Sequence, residues 1–308
     1  MLKSRYGLLD QGQNPVPKAY IVVSALHPLV SSQFFKRYNM HSNHIMSDVV
    51  TSIHNPRIKH AVGLRDKKQR DLESLMLVDG AEEIALAIES RAILRTLYRS
   101  EQNRYDLHGL LIKARQAGAE VIELGERAFE KIAYRDSPDG WVGVFRKPST
   151  LLADLRLSAT PLVVVIESVE KPGNLGAILR TADAAGVDAV ISCNPITDLT
   201  NPNVVRASKG ALFAVPIAEA STTEVLHWLR TNHIQLVAAT PAATPVYSEI
   251  DLRQPVALAV GEEKYGLSET ILAAADLTVR IPMRGRVNSL NVSNSAAILL
   301  YEAVRQRG

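Results

Sequence analysis

The sequence predicts an α/β protein with two domains, the second built on a parallel sheet. The chain has 308 residues, of which 46% are hydrophobic and 22% are charged, enough apolar mass for two modest cores. Residues 162–166 read LVVVI, a continuous apolar run typical of a strand buried on both faces of a parallel sheet. Apolar runs and helical patterns then alternate along the chain, as they do in a sheet covered by helices on both sides.

The first half predicts a smaller α/β domain followed by a linker. Its apolar runs predict strands at 75–78, 93–98, 121–124 and 141–145, with helices at 81–90, 107–117 and 127–134. The proline-bounded stretch 148–160 has no strand pattern and predicts the linker. We therefore expect domains at residues 46–147 and 161–308, preceded by a poorly ordered extension at residues 1–45.

The second domain continues the alternation. Strands are predicted at 188–192, 214–217, 235–239, 256–260 and 278–281, and helices at 177–185 and 223–232.

The amino-acid composition argues against some classes of protein but does not identify the function. A net charge of +3 and a pI of about 8.9 permit a polyanionic partner but do not require one. Cys193 is the only cysteine, which rules out an intramolecular disulfide, and the histidines lack a metal-ligand spacing, so we expect no metal and a reducing, cytoplasmic setting. No apolar run reaches the roughly 18 residues that span a bilayer, so no membrane segment is expected.

Three segments of the second domain place small polar or charged residues directly after an apolar run. Ligands of open parallel sheets bind outside the carboxyl ends of the strands, so these segments are candidates for a site. In the first segment, Gly173 and Gly176 allow close backbone approach, and Asn174 can bind a ligand or cap a helix. Arg180 follows in an otherwise apolar helix, which indicates either a buried, paired arginine or a surface arginine whose stem packs on the helix.

The other two segments follow later strands. Residues 256–268 run from an apolar strand into a loop in which Glu263 can fix an arginine or an amide, unless its charges are simply solvated. Residues 281–302 crowd six Asn and Ser side chains at the junction of a strand and a helix. Ser289 and Asn291 fall on the same side of an extended chain, although an elaborated helix cap explains the same pattern.

Taken together and in this order, the segments resemble the signature motifs of the SpoU/TrmH family of RNA ribose 2′-O-methyltransferases, in the SPOUT class. The matching patterns are Asn-x-Gly-Ala-Ile-x-Arg at 174–180, Gly-x-Glu-x-x-Gly-Leu at 261–267 and Ile-Pro-Met-x-Gly-x-Val-x-Ser-Leu-Asn-Val-Ser at 281–293. Residues 52–59 look like the opening of the family's RNA substrate-binding domain, which is similar in fold to ribosomal protein L30e.

The resemblance implies a C-terminal SPOUT domain with a deep trefoil knot that binds S-adenosylmethionine and forms a homodimer. It implies a catalytic role for Arg180, as a proton acceptor or as the charge that holds the target phosphate, with Asn174, Glu263, Ser289 and Asn291 orienting the reacting groups. The cofactor contacts that it implies are Thr240, Pro241, Leu258, Val260, Gly261, Ile281, Met283, Ser289, Leu290 and Asn291. For the dimer face we expect the apolar side of the last helix, with Ile298, Leu299, Tyr301 and Val304.

A basic stretch near the start of the first domain is the candidate RNA surface. Its members are Arg57, Lys59, Arg65, Lys67, Lys68 and Arg70. Taken alone, the stretch also fits a solvated helix face paired with Asp66 and Asp71. We expect ribosomal RNA as the substrate, with a tRNA guanosine as the nearest alternative; a non-catalytic RNA-binding protein and a nucleotide-dependent dehydrogenase are the alternatives from other classes.

Overall fold

The computed structural model describes residues 49–308, except residues 104, 136 and 263. The predicted extension at residues 1–45 lies outside the described residues, and so does Glu263.

The first sheet has four strands in the order β1-β4-β2-β3. Strand β4 runs antiparallel to both β1 and β2, whereas β2 and β3 are parallel. The elements are α1 (Pro56–Gly63), α2 (Lys67–Glu73), β1 (Leu75–Asp79), α3 (Ala81–Glu89), β2 (Leu94–Ser100), α4 (Leu110–Gln116), β3 (Glu120–Leu124), α5 (Glu126–Ile132) and β4 (Trp141–Arg146). Side chains that cap backbone N–H groups begin the first two helices, Asn55 at α1 and Asp66 at α2.

The second sheet has six parallel strands in the order β10-β8-β9-β5-β6-β7. A 3₁₀ turn at Leu152–Asp154 precedes it, and another lies at Tyr247–Glu249. The elements are β5 (Leu162–Glu167), α6 (Pro172–Ala185), β6 (Ala189–Cys193), α7 (Pro202–Ala207), α8 (Ala211–Ala214), β7 (Ile217–Ala220), α9 (Thr222–Thr231), β8 (Gln235–Ala239), β9 (Val256–Val260), α10 (Glu269–Ala274), β10 (Leu277–Val279) and α11 (Val292–Arg307).

Strand β5 contributes side chains to a hydrophobic core on each face of the second sheet, as the uninterrupted apolar run predicts. Val164 lies in the core that contains residues of α6 and α11, and Val165 lies in the core that contains residues of α9 and α10. Leu299 of α11 is buried in the first of these cores. The prediction that Leu299 contributes to a dimer face is therefore wrong, because its side chain is already covered by its own chain.

Most predicted strands are confirmed, and β8 and β9 have the predicted bounds. The strand predicted at 214–217 instead begins at Ile217, because residues 211–214 form the short helix α8 and Ile217 pairs with Val190 of β6. The helix predicted at 107–117 begins at Leu110, where the Asp106 carboxylate accepts hydrogen bonds from the backbone N–H groups of Leu110 and Leu111.

A buried ion pair joins α2 to the loop before α7. The Arg70 side chain is 1% exposed, and its Nη2 lies 2.8 Å from Asp198 Oδ2. Its Nη1 donates to the backbone oxygens of Leu64 and Arg65, and Thr200 Oγ1 donates to Asp198 Oδ1. The prediction that Arg70 contacts RNA is therefore wrong, because its guanidinium is enclosed and paired inside the protein.

Removing one partner of this pair should destabilise the fold strongly, because the remaining charge stays buried. We expect Arg70→Ala or Asp198→Ala to lower the free energy of unfolding by about 3–5 kcal/mol. Lys67→Ala, which breaks only the exposed pair with Asp71 on the same helix, should cost less than about 1 kcal/mol. Urea denaturation of the three variants measures the difference, and equal losses for Arg70→Ala and Lys67→Ala would contradict this account of the pair.

Candidate active site

Helices α6 and α11 pack against each other and bring the first and third motif segments into contact. Asn291 Nδ2 donates to Asn174 Oδ1 at 3.1 Å. The side-chain oxygen of Asn291 also begins α11, because it accepts hydrogen bonds from the Ser293 N–H at 2.9 Å and from Ser293 Oγ at 2.6 Å. Asn291 is thus a helix cap and, at the same time, part of the junction between the two motifs.

A cavity of about 530 Å³ lies where the chain leaves β8, β9 and β10. Its walls come from the three segments that follow these strands, including Ala239, Leu267 and Asn288. Eight of the ten residues predicted to contact a cofactor line it: Thr240, Pro241, Val260, Gly261, Ile281, Met283, Ser289 and Leu290. The cavity volume is within the range of roughly 300–1,000 Å³ that small-molecule sites occupy.

The two remaining residues do not line the cavity. Leu258 is buried in the core that α6 and α11 cover, because it lies two residues before the end of β9. Asn291 contacts Asn174 and caps α11 instead.

The loop after β9 folds back on itself and needs glycine at its start. Gly266 N–H donates to the Glu262 oxygen at 2.8 Å, and Gly266 has a left-handed φ of 74°. A Cβ on Gly261 would lie 2.2 Å from the Gly266 oxygen. Any side chain at residue 261 would therefore open this loop and change the cavity wall.

Glu167, which sequence reasoning did not single out, anchors the end of the same loop. Its buried carboxylate accepts hydrogen bonds from the N–H of Ser268 at 2.7 Å and from Ser268 Oγ at 2.8 Å. Thr222 Oγ1 at the start of α9 donates to the same carboxylate at 3.1 Å. An acidic residue at the end of an otherwise apolar strand is the only sequence signal for this anchor.

Arg180 is exposed on α6, whereas Ile178, Leu179 and Ala182 of the same helix are buried. The expectation of a buried arginine is therefore wrong, and the alternative of a surface arginine is confirmed. The guanidinium is open to a ligand that approaches from solvent.

The two glycines of the first motif segment, Gly173 and Gly176, have different surroundings. A Cβ on Gly176 would lie 2.3 Å from Ala207 Cβ and 2.7 Å from the backbone nitrogen of Ser208, whereas no heavy atom lies within 4 Å of a Cβ on Gly173. Gly176 therefore permits the close packing of α6 on α7, which is a structural requirement of the fold.

Cys193 is buried within strand β6. Burial raises the pKa of the Cys193 thiol to about 12, so this side chain is not a thiolate nucleophile near neutral pH. Across the described ranges, the His, Cys, Asp and Glu side chains form no group of three or more that could hold a metal ion. Within the same ranges, no helix is both long enough and apolar enough to cross a membrane.

The basic stretch is mostly exposed. The side chains of Arg57, Lys59, Lys67 and Lys68 face solvent on α1 and α2, although Arg57 also pairs with Glu120 at 2.7 Å. Arg65 is half-buried, and its Nη2 donates to the backbone oxygens of Lys131 and Ala133. Four of the six predicted RNA contacts thus remain accessible.

Fold and cavity together define an α/β protein with a cavity of small-molecule size at the carboxyl ends of its parallel strands, joined to a domain with an exposed basic surface. The SpoU rRNA Methylase family model matches residues 161–301, and the model of the MRM3-like substrate binding domain matches residues 55–143. The chain belongs to the SpoU rRNA methylase family.

Individual relatives are similar over most of their length. A 23S rRNA (uridine(2479)-2′-O)-methyltransferase of Streptomyces viridochromogenes is 33% identical over 80% of this chain and 87% of its own. The 23S rRNA (guanosine(2553)-2′-O)-methyltransferase RlmP of Bacillus subtilis is 29% identical over 82% of this chain and 97% of its own. An AdoMet-bound rRNA methyltransferase from Sinorhizobium meliloti superposes with a TM-score of 0.77, at 34% identity over 84% of this chain and 97% of its own.

The family and the α/β fold class predicted from the sequence are thereby confirmed, and the alternative of a nucleotide-dependent dehydrogenase is wrong. The predicted domain limits, and the roles predicted for the individual site residues, stay predictions.

Because only Gly176 is closely packed, alanine should have different effects on stability at Gly176 and at Gly173. We expect Gly176→Ala to lower the free energy of unfolding by about 1–3 kcal/mol, the usual cost of overpacking. Gly173→Ala, in the first turn of the same helix, should be neutral or stabilising by up to about 1 kcal/mol. Denaturant unfolding of both variants checks this, and a stable Gly176→Ala protein would contradict the packing role.

Proposed function

We propose that this protein transfers a methyl group from S-adenosylmethionine to a ribose 2′-hydroxyl of ribosomal RNA. The observation that carries the proposal is the convergence of the three motif segments: the first and third meet at the Asn174–Asn291 hydrogen bond, and the second and third line one cavity. The two curated relatives act on 23S rRNA, one at a guanosine and the other at a uridine. Ribosomal RNA is therefore the favoured substrate, and we leave the base unassigned.

The cavity has the chemistry to hold S-adenosylmethionine. The side chains of Val260, Ile281 and Leu290 offer an apolar surface for the adenine, and exposed backbone groups of the loops can hydrogen-bond to its edge. The hydroxyls of Thr240 and Ser289 offer donors and acceptors for the polar parts of the molecule. When bound, S-adenosylmethionine supplies an electrophilic methyl group on its sulfonium.

The contribution of the chain is to position the ribose and to stabilise the charge that develops on the 2′-oxygen. Arg180 is exposed, so an RNA phosphate can reach it and form charge-assisted hydrogen bonds. We therefore favour Arg180 as the phosphate anchor over Arg180 as the proton acceptor. Asn174, Glu263, Ser289 and Asn291 are proposed to orient the ribose and the methionine part of the cofactor.

The assembly that we propose is a homodimer of a chain with a C-terminal trefoil knot. Support for the knot comes from the segments after β9 and β10, because Gly261, Leu267 and Leu290 of these segments line one cavity together with the start of α11. On α11, Tyr301 is exposed, and Ile298 and Val304 are half-buried, which leaves an apolar strip for a second copy. A cytoplasmic location follows from the proposed ribosomal RNA substrate.

Exposed basic residues of α1 and α2 are proposed as the RNA contact surface. The surface consists of Arg57, Lys59, Lys67 and Lys68, and its positive charge can neutralise backbone phosphates. Arg65 is half-buried and mainly supports the loop after α5, so its contribution to RNA binding should be smaller.

Arg180→Ala should abolish methyl transfer while leaving the fold and cofactor binding intact, because the side chain is exposed and lies outside the cavity lining. We expect the transfer rate to fall by at least about 100-fold, as for the loss of one preorganised donor at a transition state. Transfer of radiolabelled methyl from S-adenosylmethionine to a 23S rRNA transcript measures the rate, and calorimetric titration measures cofactor affinity. Arg230→Ala, an exposed arginine on α9 at the opposite face of the sheet, is the control and should keep full activity. Near-normal activity of Arg180→Ala would defeat the assignment.

Replacing Arg57, Lys59, Lys67 and Lys68 together by Ala should weaken RNA binding and flatten its salt dependence. The slope of log affinity against log salt concentration should become shallower by about 3, since each phosphate contact contributes roughly 0.7–0.9. Filter binding of 23S rRNA at several salt concentrations gives the slope. A control with the same change of charge replaces Arg95, Arg115, Arg156 and Arg230, which are exposed elsewhere. If both variants lose the same slope, the basic stretch is only a solvated surface.

A further inference from the structure

A second cavity, of about 420 Å³, lies on the substrate-binding domain, away from the cavity at β8 and β9. Its walls come from the start of α3, the loop between β2 and α4, residues Arg135 and Asp139 between α5 and β4, the start of β4 and the turn between α7 and α8. Lys209 belongs to the methyltransferase half of the chain, so both halves contribute to this cavity. Neither the motifs nor the proposed reaction uses any of these residues.

A solvent-exposed aromatic ring lies at the rim of this cavity. Tyr105 is 70% exposed and Leu107 is 87% exposed. The loop that carries them is held in place by Asn103, whose Oδ1 accepts the Tyr105 N–H at 3.0 Å and whose Nδ2 donates to the Asp139 oxygen at 3.2 Å. An exposed tyrosine on an anchored loop is suited to stacking against an unpaired base.

Two charged side chains at this cavity, Lys209 and Glu82, can form further hydrogen bonds with a ligand. Lys209 Nζ and Glu82 Oε2 are 3.9 Å apart, beyond hydrogen-bond distance, and their side chains are 53% and 69% exposed. Lys209 has a left-handed φ of 53°, and a Cβ on the following Gly210 would lie 3.2 Å from Glu83 Cα, so the turn that carries Lys209 is packed tightly against α3.

Two other charged side chains of the cavity, Arg135 and Asp139, already form ion pairs or hydrogen bonds within the protein. Arg135 pairs with Glu83 at 2.6 Å and donates to the Asp79 backbone oxygen at 2.6 Å. The Asp139 carboxylate accepts the backbone N–H groups of Ala81 and Trp141. Besides His108, which also lines the cavity, these contacts leave the Tyr105 ring, the Glu82 carboxylate and the Lys209 ammonium as the groups available to a ligand.

We propose that this cavity binds one unstacked nucleotide of the RNA substrate. The base stacks on Tyr105, its amino or imino N–H groups donate to Glu82, and its phosphate is held by Lys209. The carboxylate beside the lysine disfavours a bare phosphate or sulfate, so the ligand needs hydrogen-bond donors as well as negative charge. Because Lys209 and Tyr105 belong to different halves of the chain, the bound nucleotide helps to fix where the RNA crosses from one half to the other. The identity of the RNA rests on the proposed function, and the stacking chemistry does not.

Binding of deproteinised 23S rRNA by the full-length protein, measured by filter binding at several salt concentrations, tests the proposal. Tyr105→Ala should weaken binding by about 5- to 100-fold, the range for loss of one base-stacking contact, with an unchanged salt slope. Tyr105→Phe keeps the ring and should retain affinity. Lys209→Gln should make the salt slope shallower by about 1. Leu151→Ala, an equally exposed apolar residue in the linker, is the control and should bind as the wild type does.

Wild-type affinity of Tyr105→Ala, or an equal loss in Tyr105→Phe, would overturn the proposal. Titration with free GMP, AMP, CMP and UMP tests whether the ligand is a free nucleotide instead of a nucleotide within RNA. Tight binding of a free nucleotide, combined with unchanged RNA affinity of Tyr105→Ala, would also overturn the proposal. Calorimetric titration with S-adenosylmethionine keeps the two proposals apart, because all four variants should bind it as the wild type does. A wild-type protein that bound no S-adenosylmethionine would defeat the proposed function and leave the Tyr105 comparison valid.

Discussion

Adjacent parallel strands end at the same edge of a sheet, so the loops that follow them lie side by side. In this protein, three such loops form the walls of the cavity at the ends of β8, β9 and β10. Strand β8 lies between β10 and β9, so the segments that follow these three strands meet at one edge of the sheet. The Thr240 N–H donates to the Val279 oxygen at 2.9 Å, which holds the segments after β8 and β10 together. Glu167, at the end of the neighbouring strand β5, fixes the far end of the loop after β9 through Ser268. The cavity wall is thus held in place by backbone hydrogen bonds and buried polar contacts, which suits a preformed site for a small molecule.

A second constraint acts between the two sheets. Arg70 and Asp198 are separated by 128 positions in the sequence, yet their side chains form a buried pair with further hydrogen bonds to the backbone on the arginine side. A buried charge that loses its partner is costly, so the pair favours one relative position of α2 and the loop before α7. The exposed basic residues beside Arg70 on α2 are consequently held at a fixed position relative to the methyltransferase half. The proposed RNA surface is thereby held in place, which matters because a small misplacement of the reacting groups lowers a reaction rate steeply.

The structural features that the sequence predicted correctly are those that neighbouring residues in the chain determine. The double-faced burial of β5, the bounds of β8 and β9 and the three motif segments all follow from apolar runs and from the residues next to them. The errors arise where a distant residue decides the outcome. Arg70 could not be recognised as buried without Asp198, and the tight packing at Gly176 could not be seen without Ala207. The position of Arg180 stayed open between buried and exposed for a related reason: the apolar composition of α6 does not reveal which side of the helix the sheet and α11 cover.

The cluster of Asn and Ser residues at the start of α11 is explained by the several roles of this short segment. A helix start needs one side-chain acceptor, and Asn291 supplies it to Ser293. The same residue must also contact Asn174 of α6, while Asn288, Ser289 and Ser295 line the cavity. Small polar side chains meet all three needs, because they hydrogen-bond locally without filling the space that a ligand requires. An arrangement that satisfied the cap alone would leave the first and third motif segments without this polar contact, and the contact between them is what distinguishes this junction from an ordinary helix start.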